Sequence, residues 1–299
     1  MAHFEINGVR LWVEDEGAPD AKDLPPLVFV HEFGGDCRVW REQVDHFRDR
    51  YRCITYNARG YPPSDVPDSA DKYGQQIALD DLLGVLDTME IDKAHLVGLS
   101  MGAYNILRFA LDHPDRVLSL TAASGGSGSY PPTRAQFLKE SRMVAEMYLA
   151  SETLAGSGMF DGPTRIQLKA KRPDIWQEGA DYFAGFSPRG AGYTLRQVQC
   201  ERPSLYDFET RLAALAVPTL LMIGDEDELV IDTNVFLKRT MPHAGLLVLP
   251  KSGHLVNVED PVVFNRAVDD FLAAIEAGQW PIRPAGSTSA NVYTPEESA

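Results

Sequence analysis

The chain has 299 residues, 44% of them hydrophobic and 24% charged, and a formal net charge of −15 at pH 7. A chain of this length buries roughly three quarters of its unfolded surface and needs no disulfide or metal staple. The acidity and the absence of any basic run argue against a nucleic-acid backbone or an acidic membrane face as partner, since both must be met by clustered Lys and Arg.

"HFEI-NG-VRLWVEDE" predicts a β-hairpin, with Asn7-Gly8 supplying the two positive-φ positions of its turn. "PPLVFVHEF" (25–33) is a continuous apolar run, the mark of a strand buried on both faces. Helical spacing follows over 38–50, a strand over 51–60, and a turn-rich stretch, "YPPSDVPDSAD". A helix is predicted over 75–91, a strand over 94–99, a helix over 101–113 and a strand over 116–124. Such alternation implies right-handed crossovers and a mainly parallel sheet with helices on both faces. The rhythm changes at Gly125. From there to Tyr206 the sequence carries helix-like pieces and Gly, Ser and Pro clusters without a convincing apolar strand. Strand-and-helix patterning resumes at 217–230, a further strand falls at 245–254, and a closing helix at 261–278. The expected organisation is a core (1–124), a helical insertion (125–206), the rest of the core (207–278) and a Pro- and Ser-rich tail (279–299), flexible or draped on the surface.

Three cysteines, Cys37, Cys53 and Cys200, fit neither a zinc site nor a redox pair. The N-terminal stretch has no basic start leading into an apolar run, and no segment offers about 18 uninterrupted apolar residues. A cytoplasmic protein acting on a small molecule is the expectation. A homodimer would form through the insertion, although no self-complementary patch is evident.

"HLVGLSMGAYNILRFALDHP" (95–114) places Ser100 between Gly98 and Gly102, where a predicted strand meets a predicted helix. Gly-x-Ser-x-Gly alone occurs by chance in roughly one chain of this length in ten. Its position is more specific, because a sharp strand-to-helix turn lifts a serine hydroxyl above the carboxyl edge of a sheet. A serine needs a base, and His254, just past the last predicted strand, is the candidate. The base needs an orienting carboxylate. "IGDEDEL" offers Asp225 and Asp227 after a strand; Asp227 is preferred, Asp225 being reserved for the turn. Oxyanion donors are expected from the backbone N–H of Met101, directly after the serine, and of Phe33 in "HEFGG".

Taken in order, "HEFGG", "GLSMG", "GDED" and "GH…EDP" resemble the α/β-hydrolase superfamily, in particular its capped members related to meta-cleavage-product hydrolases, enol-lactonases and small esterases. The resemblance covers about residues 4–277 and is specific for fold rather than substrate. It implies a three-layer α/β fold, a helical lid over 125–206, and no cofactor or metal. The family usually has Gly after His31; here Glu32 stands there. Glu32 either turns away into a hydrogen-bonded or solvated niche, or faces the site and holds the resting serine or a substrate hydroxyl.

Arg38 and Arg59 follow strand ends and are candidates for a substrate carboxylate, or for structural ion pairs. Trp40, Met147, Tyr148, Trp176 and Phe183 would line an apolar pocket or pack helices on the core. His31 is read as bracing the oxyanion loop, and Cys37 as a small buried filler. The expected activity is serine-dependent hydrolysis of a small carboxylic ester or lactone. The alternatives are carbon–carbon bond hydrolysis of a vinylogous diketo acid, and a non-hydrolytic enzyme or small-molecule receptor on the same scaffold.

Overall fold

The computed structural model describes residues 1–17, 25–284 and 286–287. Eight strands form one sheet: β1 (Ala2–Ile6), β2 (Val9–Glu16), β3 (Pro26–Val30), β4 (Arg52–Tyr56), β5 (Ala94–Leu99), β6 (Val117–Ala123), β7 (Thr219–Gly224) and β8 (Ala244–Leu249). Their spatial order is β1-β2-β4-β3-β5-β6-β7-β8. The hairpin β1–β2 and the β2–β4 pair are antiparallel, and every other pairing is parallel. Asn7 and Gly8 turn the hairpin with φ of 47° and 76°, as the Asn-Gly dipeptide predicts.

Helices cover both faces. On one lie α2 (Gln75–Thr88), α3 (Met101–Asp112), α8 (Glu209–Ala214) and α9 (Ile231–Thr240), sharing a core of Leu82, Ile106, Phe109, Leu212 and Leu237 with the strands. On the other, α1 (Arg41–Phe47), α10 (Val256–Glu259) and α11 (Pro261–Glu276) pack Phe47, Val256, Phe264 and Phe271 against Phe29, Val97 and Met222. Strands β4, β5 and β7 are buried along their whole length, which is why they read as apolar runs rather than as alternation.

Between β6 and β7 come α4 (Pro131–Leu149), α5 (Ile166–Lys171), α6 (Pro173–Ala184) and α7 (Pro188–Tyr193), the last continuing into a π-helical turn over Thr194–Gln199. No strand occurs in this stretch. It meets the core through an apolar cluster that joins Phe33, Tyr61 and Met101 to Tyr148, Leu154, Phe183 and Phe186, and through the ion pairs Arg172–Glu42 (2.6 Å) and Arg41–Glu178 (3.3 Å).

Two local features differ from the sequence reading. The helix predicted over 38–50 divides into a 3₁₀ turn, Cys37–Trp40, and α1, because the Asp36 carboxylate accepts from Arg38 N–H and tightens the first turn. The start of the tail is anchored rather than flexible. Trp280 packs on Phe271 (4.7 Å between centroids) and donates Nε1–H to the His243 carbonyl at 2.8 Å. Arg283 N–H reaches the Pro242 carbonyl at 3.0 Å. Residues 288–299 lie outside the described residues. Among those described, no helix is long and apolar enough to cross a membrane.

Candidate active site

The sharp turn between β5 and α3 sets the geometry of the site. Ser100 takes φ 52° and ψ −107°, a conformation that a residue with a side chain holds only under strain. The flanking glycines make the turn sterically feasible. A Cβ on Gly102 would lie 2.0 Å from the Val30 carbonyl oxygen at the end of β3, and one on Gly98 would lie 2.5 Å from the Gly102 backbone. Met101 opens α3, so its N–H has no acceptor within the helix, and the first helical bond runs from Tyr104 N–H to the Ser100 carbonyl.

The half-buried Ser100 hydroxyl lies 2.8 Å from His254 Nε2, and His254 Nδ1 lies 2.6 Å from Asp227 Oδ2. A carboxylate only accepts, so Nδ1 carries the proton and donates it to Asp227, leaving Nε2 to accept from Ser100 Oγ–H. Ser100 follows β5, Asp227 follows β7 and His254 follows β8, so one end of the parallel sheet delivers all three. Asp225 stays in the turn, its Oδ1 accepting from Ser252 N–H at 3.3 Å.

His31 braces the loop after β3. Its Nε2 accepts from Ala58 N–H at 3.0 Å, so Nδ1 is the protonated nitrogen and donates to the Glu32 carbonyl at 2.7 Å. Burial pushes the His31 pKa down, in keeping with a neutral ring. Phe33 follows, its side chain buried in the cluster beneath the α4–α7 stretch together with Met101.

The pattern describing the alpha/beta hydrolase fold matches residues 25–261. The chain belongs to the α/β-hydrolase fold family. This α/β hydrolase is 27% identical over 252 residues to 3-oxoadipate enol-lactonase 2 of Acinetobacter baylyi, a match covering 83% of this chain and 88% of that protein. Among solved structures it resembles a thermophilic esterase from Thermogutta terrifontis (TM-score 0.80, 24% identity, 92% of this chain and 99% of the other). It also resembles the enol-lactonase from Burkholderia xenovorans LB400 (TM-score 0.74, 21% identity, 91% and 100%).

Beside Glu32 the hydrolase has a cavity of about 250 Å³, at the small end of ligand pockets. Phe160, Leu168, Ile175, Phe186, Leu255 and Val258 give it apolar walls, and Glu32 lines it as well. The lining includes Glu32 and Leu255 but not Ser100 or His254. Apart from Glu32, the charges around it are paired. Arg38 chelates Asp36 (Nε to Oδ1 at 2.9 Å, Nη2 to Oδ2 at 2.5 Å) and stacks 3.5 Å from the Tyr182 ring centroid. Arg41 and Arg172 meet Glu178 and Glu42.

Several expectations need correction. Trp40 does not line the cavity. It is fully buried between Phe29 and Phe264, because the 3₁₀ turn points the indole into the core beneath β3. Arg59 takes the second of its two expected roles, a structural ion pair, since it is buried and bound to Asp81 by two 2.6 Å hydrogen bonds. Arg38 does reach the cavity, but its charge is committed to Asp36. Met147 is 44% exposed on the outer side of α4, and Tyr148 and Phe183 belong to the apolar cluster at the core.

Glu32 is turned neither to solvent nor into a hydrogen-bonded niche. It is 3% exposed, its Oε2 has no hydrogen-bond partner, and burial raises its pKa to about 7. Glu259 is a residue that sequence reasoning passed over. Its two carboxylate oxygens accept from Gly253 N–H (2.7 Å) and Leu255 N–H (3.1 Å), clamping the loop on either side of His254. The signal was present in "GH…EDP", where a carboxylate follows the histidine at a fixed short distance.

Proposed function

We propose that this protein is a serine hydrolase acting on a small carboxylic ester or lactone with an apolar body. The observation that carries the reading is the continuous hydrogen-bond chain from Ser100 through His254 to Asp227 at the head of α3. His254 takes the Ser100 proton as the hydroxyl attacks the substrate carbonyl carbon. Asp227 holds the imidazole in the required tautomer and stabilises imidazolium. The N–H groups of Phe33 and Met101 receive the oxyanion, and such donors act most strongly where charge develops. His254 then protonates the leaving oxygen, and a water activated by the same imidazole releases the acyl group. The α4–α7 stretch serves as a cap whose aromatic underside excludes water. The enol-lactonase similarity supports the lactone option, and the apolar cavity walls with their internally paired charges favour an uncharged substrate body.

The test is labelling of Ser100 by a fluorophosphonate, located by peptide mass, followed by turnover of p-nitrophenyl esters, lactones and vinylogous diketo acids in parallel. Ser100→Ala should abolish labelling and lower turnover by several orders of magnitude. Activity of that variant within tenfold of wild type refutes the mechanism. Labelling without turnover of any substrate points to a receptor, and turnover of the diketo acid alone points to carbon–carbon cleavage.

A further inference from the structure

The ion pair between Glu32 and Arg165 is buried yet open. Arg165 closes the short 3₁₀ turn Pro163–Arg165 in the cap and is 1% exposed, yet its Nη2 stands 4.0 Å from Glu32 Oε1. Its Nε has no partner, and its Nη1 reaches only Thr164, at 3.2 Å to Oγ1 and 3.4 Å to the carbonyl. The equally buried Arg59–Asp81 pair closes with two bonds at 2.6 Å. Burying two charges without recovering their hydrogen bonds is a poor way to stabilise a fold. The geometry of the loop nevertheless enforces it. The Glu32 carboxyl lies over Gly35, where any Cβ would come within 2.2 Å of Oε1, so the glycine is what gives this side chain room to lie along the oxyanion loop.

The charged surroundings are lopsided. Glu32 is faced by Arg165 from the cap, Asp36 from its own loop and His254 from the loop after β8. Arg165 is therefore the cation offered to it, because the two ring nitrogens of His254 are engaged by Ser100 and Asp227. Arg165 in turn is faced by Glu32, Glu259 and Asp227. Asp227 is engaged by His254, and Glu259 by two backbone N–H groups. Only Glu32 is left uncommitted.

We propose that Arg165 is a positioning residue that acts through Glu32: seated with the cap, it cancels the carboxylate beside the oxyanion loop and so permits negative charge to develop on the substrate. The inference rests on the reading of Ser100 as the nucleophile. A lone carboxylate next to Phe33 opposes an oxyanion, whereas a carboxylate with a cation 4.0 Å away presents a dipole whose field falls off faster with distance. A cap that is not seated leaves Glu32 uncancelled once it ionises, so the triad is fully reactive only when the cap is closed over it.

The test compares rates of fluorophosphonate labelling from pH 6 to 10 for wild type, Arg165→Met, Arg165→Lys and the double variant Glu32→Gln/Arg165→Met, with circular dichroism to check folding. In Arg165→Met, Glu32 ionises without a counter-charge as pH rises. Labelling should fall by about 10²-fold on the alkaline side, the scale of losing one oxyanion donor, while wild type and Arg165→Lys cross the range without that loss. In the double variant the alkaline loss should vanish, which a merely structural role for Arg165 does not predict. An Arg165→Met profile that superimposes on wild type overturns the proposal, as does an alkaline loss that persists in the double variant. Should Arg165→Met fail to fold, a folded double variant labelling at less than a tenth of the wild-type rate overturns it equally. Wild-type protein that does not label at all refutes the nucleophile itself, and the role of Arg165 falls with it.

Discussion

Replacing Ser100 by glycine and by alanine separates the strain of the turn from the loss of the hydroxyl. Both variants lose the 2.8 Å contact to His254, so that loss cancels in the comparison. At an ordinary position glycine is less stable than alanine by about 0.5–1 kcal/mol, because it has more backbone freedom to surrender. At φ 52° and ψ −107° the alanine Cβ retains the strain and glycine does not, and such strain costs on the order of 1–3 kcal/mol. The difference leaves Ser100→Gly more stable than Ser100→Ala by roughly 0.5–2 kcal/mol. At about 2–4 °C per kcal/mol for a large domain, the glycine variant should melt about 1–8 °C above the alanine variant, both being inactive. Urea unfolding followed by circular dichroism, with thermal melts in the same buffer, measures this directly. An alanine variant as stable as the glycine variant, or more so, refutes the claim that the turn holds Ser100 under strain.

Asp227→Asn should leave the fold intact and reduce turnover on the order of 10⁴-fold, since the amide imposes the wrong imidazole tautomer; steady-state kinetics on an ester substrate checks it. Glu259→Gln keeps an acceptor for only one of the two backbone N–H groups beside His254, and should lower kcat and destabilise by about 1–3 kcal/mol, seen as a shifted urea midpoint. Arg59→Met strands a buried Asp81 and should cost about 3–5 kcal/mol of stability, while KM of the folded enzyme stays at its wild-type value. The Glu32 carboxyl, raised to about 7 in the fold from an ordinary 4.5, contributes stability that is complete below pH 4.5 and is lost as pH climbs to 7. In that window the folded chain holds a proton that the unfolded chain has released, a linkage of up to about 3 kcal/mol. Glu32→Gln should remove this loss, so its stability relative to wild type should rise between pH 5 and 8; an unchanged difference in urea midpoint contradicts it.

Much of the site was legible because it is written in local terms. The two glycines around Ser100 answer a steric demand made by residues within two positions of it and by the strand it lies against. Asp227 and His254 were legible because each follows an apolar run that reads as a strand, and parallel strands deliver their carboxyl ends to one edge. His31 could be read as a brace from its place in "HEFGG", although its partner, Ala58 N–H, could not.

The residues read poorly are those whose role depends on a distant partner. Trp40 sits in a 3₁₀ turn and Arg59 follows a strand end, and their sequence neighbours do not reveal that Phe264 closes over one and Asp81 binds the other. Arg165 raised no signal, since a lone arginine in a Pro- and Gly-rich stretch ordinarily faces water, and it is buried because its segment packs against Glu32.

From the sequence by itself came the alternation of elements, the strained serine turn and the chain order serine, aspartate, histidine, because periodicity and backbone sterics are properties of neighbouring residues. Only the tertiary structure decided that Glu32 faces inward, that Glu259 clamps the histidine loop and that the stretch between β6 and β7 brings a buried cation to the core. Those outcomes depend on which surfaces meet when segments far apart in the chain pack, and on the low dielectric that makes each buried charge answer to the few groups beside it.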